Sequence, residues 1–128
     1  MKIRFLFFLM GFVSMGLGVQ SFAVTMHCPT TVTAGSFYDA DSPGIQWMGT
    51  QANLKNPNNT VSIVAQNSLM SSGDISCNVG AWKAYHNAKT QVGGAVKPTP
   101  GSANWTVSGS YYFCYAGSKC PFSPVGIN

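Results

Sequence analysis

The chain contains no glutamate, and its one arginine, Arg4, lies at the extreme N-terminus. Beyond residue 23 the charge comes from five lysines and three aspartates, a formal +2 within the +4 of the whole chain. Lacking arginine, this region has no planar fork to grip phosphate or carboxylate. Its lysines (Lys55, Lys83, Lys89, Lys97 and Lys119) are scattered and form no basic run, which disfavours nucleic-acid binding. Lacking glutamate, it cannot close a calcium loop begun at Asp39-Ala40-Asp41, and the pair reads as a turn instead. There is no C-x-x-C pair, so the four cysteines do not have the spacing of a structural zinc site. No metal and no cofactor is expected. G-x-S-x-G is also missing, and a Ser/His/Asp grouping built from His86, Asp74 and the many serines carries no local signature. No catalytic residue is therefore assigned. Helical periodicity is nearly absent throughout.

What is present begins with a leader. Lys2 and Arg4 precede an apolar run over residues 5–13, and Ser21-Phe22-Ala23 places small residues at the −3 and −1 positions of a cleavage site. The run is too short for a membrane span of about 20 apolar residues. The expectation is a signal peptide over residues 1–23 and one secreted or periplasmic domain over 24–128, with no stable membrane anchor after cleavage. A domain of 105 residues can bury about two-thirds of the surface its unfolded chain exposes. Cys28, Cys77, Cys114 and Cys120 all fall within it, and an even count in an exported chain implies two disulfides.

Short alternating segments, punctuated by Gly, Pro, Asn and Ser, predict an all-β fold. The architecture expected is a small antiparallel sandwich or barrel of about seven or eight short strands. Strands are predicted at residues 30–33, resuming at 36–38, and at 45–48 and 60–66. The longest candidate covers 75–86, with Gly80 as a bulge or a shift of face. A final hairpin turns at Gly109, and residues 121–128 read as a poorly ordered tail.

Aromatics supply the main functional signal. Tyr111-Tyr112-Phe113 must point to both faces of its strand, so at least one ring lies off the main core. Exposed rings on a β face can stack on sugars or anchor a protein. The binding candidates are Trp47, Trp82, Trp105 and Tyr112. The reading is a non-enzymatic binding domain for a protein or glycan partner, met through aromatics and amides. The alternatives are a secreted inhibitor or effector acting on a host or competitor protein, and a small hydrolase.

Cys28-Pro29 after the leader, a mid-chain Gly44-x-x-Trp47-x-Gly49 and a terminal Cys114-Tyr115 give a layout that resembles small secreted proteobacterial proteins classed as a domain of unknown function. The resemblance implies an exported β domain and transfers no catalytic residue. Cys77 and Cys120 look like an addition to that pattern, so the older pair would be Cys28–Cys114. The tendency of terminal strands to lie side by side also favours that pair. The expected bridges are thus Cys28–Cys114 and Cys77–Cys120. The rival map joins Cys114 to Cys120 through a tight turn and leaves Cys28–Cys77. As to the leader, protein recovered from periplasm or medium should weigh as the 105-residue chain starting at Val24. An intact mass retaining Met1 would contradict cleavage.

Overall fold

Alternation along each strand decides which face it buries. Val61 and Ile63 are buried beside a half-buried Ser62, and Ile75 and Cys77 are buried around a half-buried Ser76. Ala84 and His86 are buried around Tyr85. A computed structural model of the chain describes residues 25–52, 59–65 and 71–125. The leader expected at 1–23 lies outside these residues. The strands are β1 (Gly35–Phe37), β2 (Trp47–Gln51), β3 (Val61–Val64), β4 (Ile75–Val79), β5 (Trp82–His86), β6 (Val96–Pro98), β7 (Thr106–Ser108), β8 (Tyr111–Cys114) and β9 (Phe122–Pro124). They build an antiparallel seven-stranded sheet, in the order β1-β2-β5-β4-β3-β8-β7, and a two-stranded sheet of β6 and β9. The fold is all-β, as the sequence leads one to expect. The small sheet covers one face of the large one. Phe122 and Val96 pack there with Trp47, Ile45, Ile63 and Ile75, and the Trp47 and Phe122 rings meet edge-on at 6.2 Å.

The covered face carries a register row of small residues. Gly35 lies opposite Gly49, Gly49 opposite Ala84, Ala84 opposite Cys77, Cys77 opposite Val61 and Val61 opposite Cys114. The low row leaves room for a strap of chain above the sheet. Cys28 is bonded to Cys77 of β4, and five residues later Thr33 crosses β2 at Gly49. A Cβ at Gly49 would stand 1.9 Å from the Thr33 carbonyl oxygen, so no larger residue fits under the strap. The expectation of a strand at 30–33 is corrected here. The strap lies over the sheet and does not pair with it, and pairing with β2 begins only at Gly35. Gly49 also does not end its strand, because glycine is required there by the crossing and not by a turn.

Two further expectations change. The segment 75–86 is a hairpin and not one long strand. Val79 faces Trp82 across Gly80-Ala81, and Gly80 takes φ 60°, the left-handed conformation that a tight hairpin requires. The tail is also structured as far as Val125. Phe122 and Ser123 are fully buried in β9, and Met26 forms a bridge to Phe122. Residues 126–128 lie outside the described residues.

The bridges are Cys28–Cys77 and Cys114–Cys120, so the pairing expected from the sequence, Cys28–Cys114 with Cys77–Cys120, is corrected. The segment opening the domain is a strap above β4 and not a terminal strand beside β8. The chain leaving β8 makes a single 3-10 turn at Gly117–Lys119 and enters the second layer at once, which brings Cys120 back to Cys114. Two disulfides suit an oxidising, extracytoplasmic environment. Among the described residues, no helix is long and apolar enough to cross a membrane. Non-reducing peptide mapping should recover Cys28 linked to Cys77 and Cys114 linked to Cys120. Loop lengths of 49 and 6 residues imply unequal contributions, about 4 and about 2 kcal/mol in the chain-entropy picture. Replacing the Cys28/Cys77 pair by alanine should therefore lower stability in urea more than replacing Cys114/Cys120.

Candidate binding face

None of the four aromatics singled out from the sequence forms an exposed platform. Trp47 is fully buried, with its indole N–H donating to the Ser42 hydroxyl at 2.8 Å, so it is corrected from a binding residue to a core residue. Trp105 is half-buried against the core and donates from Nε1 to the Pro121 carbonyl at 2.8 Å. Tyr112 packs against the same core from β8, opposite Ile63. Trp82 is half-buried at the hairpin end of β5. By strand alternation Trp82 shares the face of Ala84, and Tyr112 shares the face of Cys114, so both belong to the covered side of the sheet.

The open side of the sheet holds a different set. One register row crosses all seven strands there. Ser36 faces Met48, Met48 faces Tyr85, Tyr85 faces Ser76, Ser76 faces Ser62, Ser62 faces Phe113 and Phe113 faces Thr106. In its middle, Ser62 and Ser76 form a low floor between Tyr85 on β5 and the aromatic residues of β8. Tyr111 and Phe113 follow one another along β8, and Tyr115 comes just beyond its end. Tyr111 and Phe113 have ring centroids 5.6 Å apart, and the rings of Phe113 and Tyr115 lie 6.3 Å apart and within 14° of parallel. A cleft of about 250 Å³ lies over this floor, bounded by Tyr85, Lys83 and Asp74 on one side and by Tyr111 and Val64 on the other. A second hollow of about 180 Å³ lies beside the Cys28–Cys77 bridge, between Asn59 and Asn78. It has no aromatic wall.

The Tyr85 ring is fixed in place. Its hydroxyl donates to Asp74 Oδ2 at 2.7 Å, and Asp74 Oδ1 accepts the Ala88 N–H at 2.7 Å. Asp74 is itself buried and is held by its own backbone, which receives Val64 N–H and donates to Ser71. Burial, followed by the hydrogen bond and the negative charge of Asp74, pushes the Tyr85 hydroxyl up to about 12. His86 acts as a second brace. It is fully buried, and its Nδ1 and Nε2 lie 2.8 Å from the Gln46 carbonyl and 2.6 Å from the Gly94 carbonyl. A neutral imidazole has one N–H and serves one of these oxygens, whereas the doubly protonated ring serves both. His86 and Asp74, the histidine and aspartate of the grouping considered from sequence, therefore have their polar atoms turned to structural partners. In the Asp39 turn, Oδ2 accepts the Asp41 N–H at 2.9 Å, so this carboxylate closes its own loop. Among the described residues, no group of three or more His, Cys, Asp or Glu side chains could hold a metal ion.

Compared with known protein families, curated proteins and solved structures, the chain matches none. Sequence reasoning missed Tyr85, Tyr111 and Phe113. Parity with the cysteines could have found the two on β8. A disulfide-bonded Cys77 or Cys114 faces inward, so Ser76, Tyr111 and Phe113, each an odd number of positions away, face outward.

The Tyr85–Asp74 contact has a measurable consequence. Tyr85→Phe leaves a buried carboxylate oxygen without its donor and should cost about 1–3 kcal/mol in urea unfolding. The unfolded tyrosine releases its proton near the ordinary value of 10.0, and the folded one holds it to about 12. This contribution to stability is thus complete below pH 10 and is lost as pH rises towards 12. The loss of stability over that window should be shallower in Tyr85→Phe.

Proposed function

We propose that the chain is a secreted or periplasmic, non-enzymatic binding domain, and that it meets its protein or glycan partner through the open face of the seven-stranded sheet. One observation carries this reading. A rigid tyrosine and a row of β8 aromatics flank a serine floor on the face that the second layer leaves uncovered. Aromatic side chains held in place lose little conformational freedom on binding, and this favours affinity without large area. The signal-peptide pattern and the two disulfides support export. The Trp-based site considered first gives way to Tyr85, Tyr111 and Phe113, because Trp47 and Trp105 already have their indole N–H groups bonded inside the domain.

A panel of immobilised glycans and envelope proteins tests this reading, with wild-type protein compared against Tyr85→Ala, Phe113→Ala and Trp82→Ala. Both open-face variants should weaken binding about tenfold or more, the size of a hot-spot truncation. Trp82→Ala should leave binding within about twofold, as expected for a residue outside the site. Binding that survives both open-face changes and fails in Trp82→Ala would overturn the assignment.

A further inference from the structure

We infer that the cleft between Tyr85 and Tyr111 takes a saccharide bearing a carboxylate, an inference that rests on the binding-face reading above. The floor is the first argument. Ser62 and Ser76 lie opposite each other on adjacent strands, and each hydroxyl both donates and accepts. An apolar side chain laid over them would strand those hydroxyls at a cost, whereas a polyol pairs with them. The walls are the second argument. β5 and β8 stand three strand spacings apart, about 14 Å between backbones, which leaves a trough for a flat ring between Tyr85 and the β8 aromatics. At about 250 Å³ the cleft falls just below the range of about 300–1,000 Å³ typical of small-ligand pockets. That suits one or two sugar units of a longer chain.

Charge selects the class of saccharide. Two groups with formal charge border the cleft, Asp74 and Lys83. Asp74 is buried, and both its oxygens are occupied, one by the Tyr85 hydroxyl and one by the Ala88 N–H. Lys83 is exposed on β5, two residues from Tyr85 and on the same face. The exposed Lys83 ammonium is therefore the charge that a ligand at the rim can pair with directly, while the charge of Asp74 stays behind its neutral donors. A single ammonium is a point charge with no fork, enough to pair with one carboxylate of a uronate unit. The excess of lysine over aspartate beyond residue 23 acts in the same direction over longer range.

Titration of the full domain followed by NMR tests the inference. The probes are trimers of galacturonate, glucuronate and mannuronate, each beside its neutral carboxyl-reduced counterpart. At least one uronate trimer should shift the resonances of Ser62, Ser76, Tyr85 and Tyr111. It should bind about fivefold more tightly than its neutral form, the value of one partly exposed ion pair. Lys83→Gln should erase that preference and leave the weaker neutral binding in place. Ser76→Leu, which fills the floor, should abolish both. If neutral and acidic trimers bind equally and Lys83→Gln changes nothing, the carboxylate assignment is overturned while the binding face stands. If no trimer shifts these resonances, the saccharide class is overturned. If a protein partner is then found whose binding ignores Tyr85→Ala and Phe113→Ala, the face itself is overturned too.

Discussion

The fold depends on a close approach between a strap of backbone and a sheet. Residues 28–33 can pass over the large sheet from β4 to β2 only because the row beneath them is low: cysteine on β4, alanine on β5 and glycine on β2. Protein interiors are packed as densely as organic crystals, so a low row must be filled by something. Here the filler is main chain together with the sulfurs of Cys28 and Cys77. The neighbouring inward row is tall, with Phe37 opposite Trp47 and Ile63 between Ile75 and Tyr112, and side chains of the second layer fill the space above it. One face of one sheet is thus covered in two ways. A covalently tied strap lies over the short residues, and a small second sheet lies over the large ones.

This division explains how a single-layer face can remain open. The inward aromatics are fully engaged, Trp47 with Ser42, Phe122 and His86 and Trp105 with Pro121. Asp74 and His86 tie loops to strands, Asp74 through Ala88 and His86 through Gln46 and Gly94. Cohesion of the domain comes from one side of the sheet. The opposite side keeps its serines, Tyr85 and the β8 rings outside that packing, and the brace that Asp74 provides through Ala88 also holds Tyr85 as a wall of the cleft.

The sequence revealed the fold class because alternation and turn residues are local signals. The residues 60–66 show it: Val61, Ile63 and Ala65 fall on one side by simple period, and all three are buried. Gly109 likewise marks the turn between β7 and β8. The disulfide map was not legible, because it depends on where a non-pairing segment lies above the sheet, and no local pattern encodes that. The small row has the same character, since it appears only once strands distant in sequence, such as β2 and β5, are set in register. The candidate site was half legible. Tyr111-Tyr112-Phe113 declared that some ring faces outward, yet the candidates named were three tryptophans and Tyr112. Size is a guide to burial as much as to binding, and the inward parity of Cys114 was the missing constraint.

The bridges also determine how the domain would carry a mechanical load. Tension applied at the two ends of the described chain enters at the N-terminal segment, passes from Cys28 to Cys77 through sulfur, and passes again from Cys114 to Cys120. The residues between each pair are shielded, and with them β1, β2 and β3 in the long loop. The 37 peptide units from Cys77 to Cys114 are the main run that can lengthen, by at most about 125 Å before its own folded span is subtracted. Tyr85 and Lys83 sit within that run, whereas Ser62 and Ser76 sit inside the shielded loop. A pull hard enough to peel β5 from β4 would therefore separate a wall of the cleft from its floor without breaking a covalent bond.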